Sequence, residues 1–279
     1  MQGIAVLKLT RKITFVQQFI YFTAFIRSCF KNRHMKKRSA LTAIAVAFLL
    51  VSVTSAFAFK AKQPKILVFA KTAGFHHNSI AVGMPAIIKL GQENNFLVDT
   101  TTDSTKFTEQ NLKQYAAVVF LSTTGNVLSD DGQKAFEHFI QGGKGFVGVH
   151  AATDTEYDWP WYNKLVGAQF LSHPKQQEAT LNIVDANFIA TKGLPATWKR
   201  HDEWYNFKST YWDDVHVLIT IDETSYEGGK NGSNHPMSWY HSYDGGRAFY
   251  TELGHTDESY ADPLYLNHLL GGIKYAVGK

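Results

Sequence analysis

The sequence predicts an α/β protein with a flavodoxin-like fold, in which a mostly parallel sheet carries helices on both faces. Between residues 65 and 150, short apolar runs alternate with segments of helical periodicity, which is typical of βαβ units. Four of the predicted strands end in a histidine or a hydroxyl cluster, as expected when parallel strands share one functional edge. An Asp-Gly-Gly turn between two late strands predicts an antiparallel hairpin near the C-terminus.

The N-terminal half of the domain supplies the parallel part of the predicted sheet. Its elements are, in order, a strand at 66–70, a helix at about 79–94, a strand at 96–99, a short helix at 107–115, a strand at 117–121, a helix from about Ser129 to Gly142 and a strand at 146–149. The strands at 117–121 and 146–149 are continuous apolar runs, as expected for strands buried on both faces. Ser129 is a suitable N-cap, and the glycine pair that begins at Gly142 ends the helix.

The second half is less regular and richer in aromatic residues. Strands are predicted at 180–184 and 215–221, and the hairpin joins 237–241 to 247–253. The last helix begins with Asp262 as N-cap and Pro263 in its first turn. We find no internal repeat and no linker, so residues 59–279 are expected to form a single domain.

The first 58 residues have the features of a targeting sequence. A positively charged stretch at 35–38 precedes an apolar stretch at 40–53 and a small-residue cleavage motif at 56–58, which predicts a signal peptide over 35–58. Residues 1–34 then lie upstream of a complete signal peptide, and a translation start at Met35 is the simplest interpretation. The alternative is a genuine extension that uses the apolar stretch at 13–26.

Removing this leader reverses the net charge of the protein. The chain holds 28 basic and 24 acidic residues, and the leader contains nine of the basic residues and none of the acidic ones, so residues 59–279 carry a net charge of −5. This composition indicates no nucleic-acid partner. The single cysteine, Cys29, also lies in the leader, so the mature protein has no thiol nucleophile and no disulfide. We expect a periplasmic or secreted protein with no membrane association after cleavage, and the sequence leaves its oligomeric state open.

Three histidines and one threonine at the strand ends are the first candidate site residues. His150 follows a buried strand directly, and the small residues after it permit a tight strand-to-helix turn of the kind that presents catalytic side chains. The alternative role for His150 is to hold a loop through backbone hydrogen bonds. His255 ends a strand after Gly254, and Thr123 follows the strand at 117–121.

His77 is the fourth candidate at this edge, in the loop after the first strand. His76 and His77 are neighbours and cannot easily face one point, so we expect His77 alone to enter the site. The helix that begins after it could hold an anion or a polarised oxygen at its N-terminus. N-terminal capping by this segment is the alternative.

The segment 201–205 places two carboxylates between a histidine and two aromatic residues. Asp202 and Glu203 are candidate acids or bases, because carboxyl groups beside aromatic rings can have raised pKa values. Trp204 and Tyr205 could stack on a sugar, and Trp239 and Arg247 are further candidate substrate-binding residues. The alternative is a solvated charged turn followed by core aromatics.

No cofactor is evident from the sequence, although a divalent metal such as zinc stays open. Neutral imidazoles and carboxylates suit zinc, but no pair has a diagnostic spacing such as HExxH. Histidines from separate loops could nevertheless converge. There is no P-loop and no GxGxxG after a strand, so nucleotide cofactors have no support.

Taken together, these segments resemble the ThuA-like family, named for trehalose utilisation. The matching stretches occur in family order at Gly74–Ile80, Gly148–Thr153, Gly167–Phe170 with His173-Pro174, Asp202–Tyr205, His235–Trp239 and Gly246–Tyr250 with Gly254-His255. The resemblance implies a class I glutamine amidotransferase-like fold. True amidotransferases carry a cysteine nucleophile at the strand-to-helix elbow, where this chain has Val149-His150-Ala151, so its composition excludes glutaminase chemistry by thiol attack.

The resemblance implies a role in carbohydrate metabolism, since related proteins are often encoded beside or fused to sugar oxidoreductases and glycoside-processing domains. We therefore expect an enzyme that acts on a sugar or keto-sugar derivative by histidine/carboxylate acid–base chemistry, as a hydrolase, lyase or isomerase. A non-catalytic carbohydrate-binding or accessory protein of the same fold is the alternative.

Overall fold

A nine-stranded sheet forms the centre of the part of the chain that the structure describes. This computed structural model describes residues 63–279, which make one compact unit. The predicted signal peptide at 35–58 and the segment 1–34 lie outside the described residues. None of the helices in residues 63–279 is long and apolar enough to cross a bilayer.

The strands and helices alternate in the first half of this region and not in the second. The strands are β1 (Lys65–Phe69), β2 (Leu97–Thr101), β3 (Ala117–Leu121), β4 (Gly145–Val149), β5 (Gln169–Ser172), β6 (Gln177–Ile183), β7 (Thr197–Asp202), β8 (Asn206–Lys208), β9 (His216–Ile221), β10 (Pro236–Tyr243) and β11 (Gly246–Thr251). The α-helices are α1 (Ile80–Asn94), α2 (Glu109–Leu112), α3 (Asp130–Gln141), α4 (Pro160–Val166) and α5 (Pro263–Ala276).

The large sheet has the order β2-β1-β3-β4-β11-β10-β9-β6-β7, and β5 pairs with β8 separately. The first five strands of this order are parallel, and β10, β9, β6 and β7 continue the sheet with antiparallel pairings. Because β1, β3, β4 and β11 are parallel neighbours, their carboxyl ends meet at one edge.

The core lies on both sides of the central strands. Every residue of β3 and β4 is buried, and successive side chains of a strand point to opposite faces, so both faces of the sheet are covered. Helix α5 packs on β4 and β11, and α1 packs on β2 and β3. The predicted flavodoxin-like α/β fold and the C-terminal hairpin are confirmed.

Several elements were not predicted, and β7 explains why. No strand was predicted over Thr197–Asp202, yet these residues form a strand at the end of the sheet with strictly alternating burial. The buried positions of this strand are Trp198, Arg200 and Asp202, and two of these three are charged, so the alternation of apolar and polar residues that predicts a half-buried strand is missing. The short strands β5 and β8 and the helix α4 were missed as well.

Candidate active site

Four side chains converge at the carboxyl edge of the parallel strands. His77, His150, Glu203 and His255 each offer one nitrogen or oxygen atom, and these four atoms lie within 4.8 Å of one another. We call this group the histidine–glutamate cluster. The segments after β1, β4, β7 and β11 each contribute one member.

The loop after β1 places His77 in the cluster. The Thr124 hydroxyl donates to the Phe75 carbonyl at 2.8 Å and accepts from the Gly74 amide at 3.2 Å, so the end of β3 anchors this loop. His77 is 3% exposed, whereas its neighbour His76 faces solvent. The rings of His77 and His150 meet edge to face, with centroids 4.8 Å apart.

His150 stands at the turn that leaves β4. Its φ of 49° lies in the left-handed region, which costs free energy for a residue with a Cβ and is typical of functional turns. The imidazole Nδ1 lies 2.8 Å from the Glu252 carbonyl oxygen. Because a carbonyl oxygen can only accept, Nδ1 carries a proton, and Nε2 is the nitrogen that faces the cluster.

Asp202 holds His255 in place from below. The backbone amides of Gly254 and His255 donate to the Asp202 carboxylate at 3.2 and 3.1 Å. The Arg200 guanidinium pairs with the same carboxylate at 2.8 Å. Asp202 is fully buried and its hydrogen bonds go to this loop and its supports, so its observed contacts position His255.

Glu203 connects the buried histidines with a more accessible one. Its Oε2 lies 3.1 Å from His255 Nδ1 and 3.5 Å from His150 Nε2. Its other oxygen, Oε1, lies 3.1 Å from the Nδ1 of His173, a side chain that is 44% exposed. Glu203 is therefore the central acceptor of the site.

The surroundings favour neutral His77 and ionised Glu203. Burial, together with the nearby His150 and His255, lowers the pKa of His77 to about 2. Burial alone would raise the pKa of Glu203, but hydrogen bonds from His150 and His255 outweigh it and hold that pKa well below its usual range. The cluster thus combines a neutral imidazole with a carboxylate.

A second glutamate, Glu252, lies beneath His150 and is fully buried. Its Oε1 accepts from the Tyr205 amide at 3.0 Å, and its Oε2 has no hydrogen-bond partner. Burial, together with the neighbouring Asp202 charge, raises its pKa well above the usual value and thus favours the neutral carboxyl.

The structure places the remaining predicted residues outside the cluster. The Thr123 hydroxyl bonds to the Thr155 hydroxyl at 2.8 Å. Trp204 and Trp239 are fully buried, and their indole N–H groups donate to the backbone oxygens of Gln177 and Val166, so neither ring offers an open face to a sugar.

Tyr205 packs beside the cluster, whereas Arg247 lies far from it. Tyr205 is 2% exposed and packs against the His150 ring at 4.4 Å, which makes it a wall behind the site. Arg247 lies near the amino end of β11 and donates to the carbonyls of Ala276 and Gly143, so it sits at the opposite end of its strand from His255.

Three residues of the site, His173, Gln176 and Glu252, were not among the predicted site residues. Gln176 Nε2 lies 2.7 Å from His255 Nε2 and covers the outer side of that ring. His173 and Gln176 follow β5, a strand that was not predicted, and Glu252 reads in sequence as part of an ordinary strand. The His173-Pro174 pair within the family pattern was the one available signal.

The fold and this site define a protein with a class I glutamine amidotransferase-like architecture whose elbow carries a histidine. A family model described as ThuA, trehalose utilisation, matches residues 65–276, and the chain belongs to this family.

Solved structures agree with this assignment. A ThuA-like protein from Bacteroides uniformis ATCC 8492 is 26% identical with a TM-score of 0.68, and the match covers 79% of this chain and 94% of that one. A ThuA-like protein from Parabacteroides merdae ATCC 43184 is 22% identical with a TM-score of 0.65, covering 78% and 91%. No curated protein matches this chain in sequence.

Proposed function

We propose that this protein is an exported enzyme of carbohydrate utilisation that acts on a sugar or keto-sugar derivative by acid–base chemistry. The observation that carries the proposal is the contact of Glu203 with three imidazoles, of which one reaches solvent. The family description, trehalose utilisation, supports a carbohydrate substrate. The leader at 35–58 supports export.

His173 is the base in this proposal. Its Nδ1 lies 3.1 Å from Glu203 Oε1 and 2.9 Å from the Pro174 carbonyl oxygen. Both partners accept, so Nδ1 carries the proton and Nε2 keeps its lone pair. A carboxylate that orients an imidazole in this way is the usual arrangement of a histidine base, and His77 and His150 are too buried to share this role.

Proton abstraction next to a carbonyl is the reaction that suits this base. His173 Nε2 takes the proton from the carbon beside the keto group, and the electron pair of the C–H bond moves onto the carbonyl oxygen to form an enolate. Return of the proton on either face gives exchange or isomerisation. Loss of a substituent from the next carbon would give elimination.

Exchange of this proton in D₂O provides a direct test. Keto derivatives of trehalose and of methyl glucoside are incubated with the protein, and deuterium incorporation beside the carbonyl is followed by NMR. We expect exchange by the wild type and a rate at least about 100-fold lower for His173→Asn. His138→Ala is the matched control, because His138 is an exposed histidine on α3 that pairs with Glu109.

Two results would contradict the proposal. Equal exchange by the wild type and His173→Asn would remove His173 as the base. Binding of unmodified trehalose in a calorimeter, with no exchange or product from any keto-sugar, would instead support a non-catalytic carbohydrate-binding protein.

A further inference from the structure

We propose that His77, His150, Glu203 and His255 bind one divalent transition-metal ion of the zinc type. The inference deepens the proposed function, because such an ion would polarise the carbonyl oxygen of the substrate. It concerns a different event from proton transfer to His173, and it can be tested without any substrate.

The spacing of the ligand atoms fits a single ion. His150 Nε2, His255 Nδ1 and Glu203 Oε2 are separated by 3.0, 3.1 and 3.5 Å. Ligands of tetrahedral zinc, at bond lengths near 2.0–2.2 Å, lie about 3.3 Å apart. One ion can therefore contact all three atoms with small shifts, and the His77 ligand atom lies within 4.8 Å of each of them.

The orientation of the His150 ring is already that of a metal ligand. Its Nδ1–H donates to the Glu252 carbonyl oxygen at 2.8 Å, so Nε2 is the nitrogen that is aimed at the cluster. Metal-bound histidines commonly have their second nitrogen fixed by such a partner.

His77 supplies the strongest sign of a missing partner. Its Nδ1 is buried and has no hydrogen bond within the described residues. A buried polar nitrogen without a partner costs free energy. An ion bound through His77 Nδ1 would give this nitrogen a partner. The anchored loop after β1 holds the ring beside the other ligands, so its position does not depend on a flexible segment.

The outer partners of Glu203 and His255 complete the arrangement. Glu203 can bind the ion through Oε2 while Oε1 keeps its contact with His173. His255 can bind through Nδ1 if its Nε2–H donates to Gln176, which requires the amide oxygen of Gln176 to face the ring. The proposal therefore also predicts that the exposed side-chain amide of Gln176 is rotated by about 180° when the ion is bound.

The donor set indicates which ions would bind. Three imidazole nitrogens and one carboxylate oxygen favour zinc, cobalt, nickel or copper over magnesium and calcium, which prefer oxygen ligands. His173 is not needed as a ligand, so it stays available as a base. An ion bound here would act as a Lewis acid toward a substrate oxygen.

The test begins with protein stripped by a chelator and titrated with Zn²⁺ in a calorimeter. We expect one ion per chain, a higher Tm in its presence and at least about 100-fold weaker binding for His77→Ala and His150→Ala. Co²⁺ substitution should give the visible absorption of a four- or five-coordinate site. His138→Ala, which removes an exposed histidine on α3, should bind Zn²⁺ as the wild type does.

Folding defects can be separated from ligand loss by circular dichroism and by His77→Asn, which keeps a polar side chain. A folded His77→Asn variant whose Tm does not respond to Zn²⁺ supports the proposal. The absence of stoichiometric binding by the wild type, or equal binding by both alanine variants, would overturn it. If Zn²⁺ binds as expected and no keto-sugar exchanges, the metal site stands and the proposed function fails.

Discussion

At the residue scale, His150 shows how a backbone conformation directs a side chain. A φ of 49° at the end of β4 turns the chain sharply, and the Tyr250 hydroxyl secures the turn by donating to the His150 carbonyl at 2.7 Å. Packing on the Tyr205 ring then fixes the plane of the imidazole. The strain at this position is offset by contacts from β11 and from the segment after β7.

Glu252 offers a test of a buried neutral carboxyl. Because its folded-state pKa is raised above the unfolded value, its contribution to stability decreases as pH rises from about 4.5 toward the folded pKa. Glu252→Gln keeps an acceptor for the Tyr205 amide and cannot ionise. We expect it to be as stable as the wild type at pH 5 and more stable at pH 7 to 8, as measured by urea unfolding at each pH.

Glu252→Ala is the comparison for this prediction. It removes a buried side chain and leaves the Tyr205 amide without its acceptor, so we expect a loss of about 2–4 kcal/mol. A Glu252→Gln variant destabilised as much as the alanine variant would show that the carboxyl is charged in the folded protein.

At the element scale, the site depends on the segments that leave four strands. The Ser79 hydroxyl, just before α1, donates to the Gly254 carbonyl at 3.2 Å and ties the loop after β1 to the loop after β11. Gly254 has a φ of 112°, and a Cβ there would lie 2.3 Å from the Tyr265 hydroxyl. Glycine is therefore required at the position before His255.

Substitution of Asp202 tests whether this residue positions the loop that carries His255. Asp202→Asn weakens the hydrogen bonds to the Gly254 and His255 amides and leaves the buried Arg200 short of a counter-charge. We expect a loss of about 3 kcal/mol in unfolding free energy and about tenfold weaker Zn²⁺ binding, because a positioning residue of His255 is impaired.

A surface aspartate provides the control for this prediction. Asp99→Asn breaks a partly exposed pair with Lys65 on β1 and should cost less than about 1 kcal/mol without changing Zn²⁺ affinity. Unchanged Zn²⁺ affinity in a folded Asp202→Asn variant would argue against the positioning role.

At the scale of the whole molecule, the site forms at the edge of the parallel strands. The antiparallel strands end with β7, and Glu203, the residue after β7, lies at that same edge. β7 lies at the end of the sheet farthest from β2, yet the residues that follow it pass over the end of β11, where the Tyr205 amide contacts Glu252. The two halves of the sheet are thus joined at the cluster.

The stability of the whole unit should depend on pH through His268, which is fully buried on α5. Burial lowers its pKa to about 4, and its Nδ1 donates to the Ala190 carbonyl at 2.8 Å. The depressed folded pKa means that the stabilising contribution is complete above pH 6.5 and is lost as pH falls toward 4. We expect a loss of about 2 kcal/mol between pH 7 and pH 5 from this residue.

Comparison with His268→Gln isolates this contribution, since glutamine does not titrate. The difference in unfolding free energy between wild type and variant should shrink by about 2 kcal/mol from pH 7 to pH 5, measured by urea unfolding. A difference that is constant with pH would mean that His268 titrates normally in the folded protein.

The sequence predicted the fold well because the parallel strands are buried on both faces. The strand at 117–121 is continuous apolar sequence and coincides with β3, and Ser129 caps α3 as expected by accepting from the Gly132 amide. Local chemistry also predicted the Asp244-Gly245 hairpin turn, whose residues have φ values of 48° and 90°. These signals need no knowledge of distant contacts.

Pairings between distant segments could not be predicted in the same way. Asp202 and Glu203 are neighbours in sequence with the same charge. Strand β7 ends at Asp202, whose carboxylate pairs with Arg200, whereas the carboxylate of Glu203, the next residue, lies in the cluster. The contact of His173 with Glu203 joins segments 30 residues apart in sequence, so no local pattern predicts it. The aromatic residues Trp204 and Trp239 fit a sugar platform in sequence but are core residues in the folded protein.

The sequence by itself determined the class of fold, the edge that holds the site, and the absence of cysteine from residues 59–279. Those properties follow from local apolar patterns, from the direction of parallel strands and from composition. Only the tertiary structure decided which histidines and which carboxylate meet, because that depends on how loops separated by up to about 180 residues pack together. The fold brings His77, His150, Glu203 and His255 to one point, and it keeps His173 at the surface beside them.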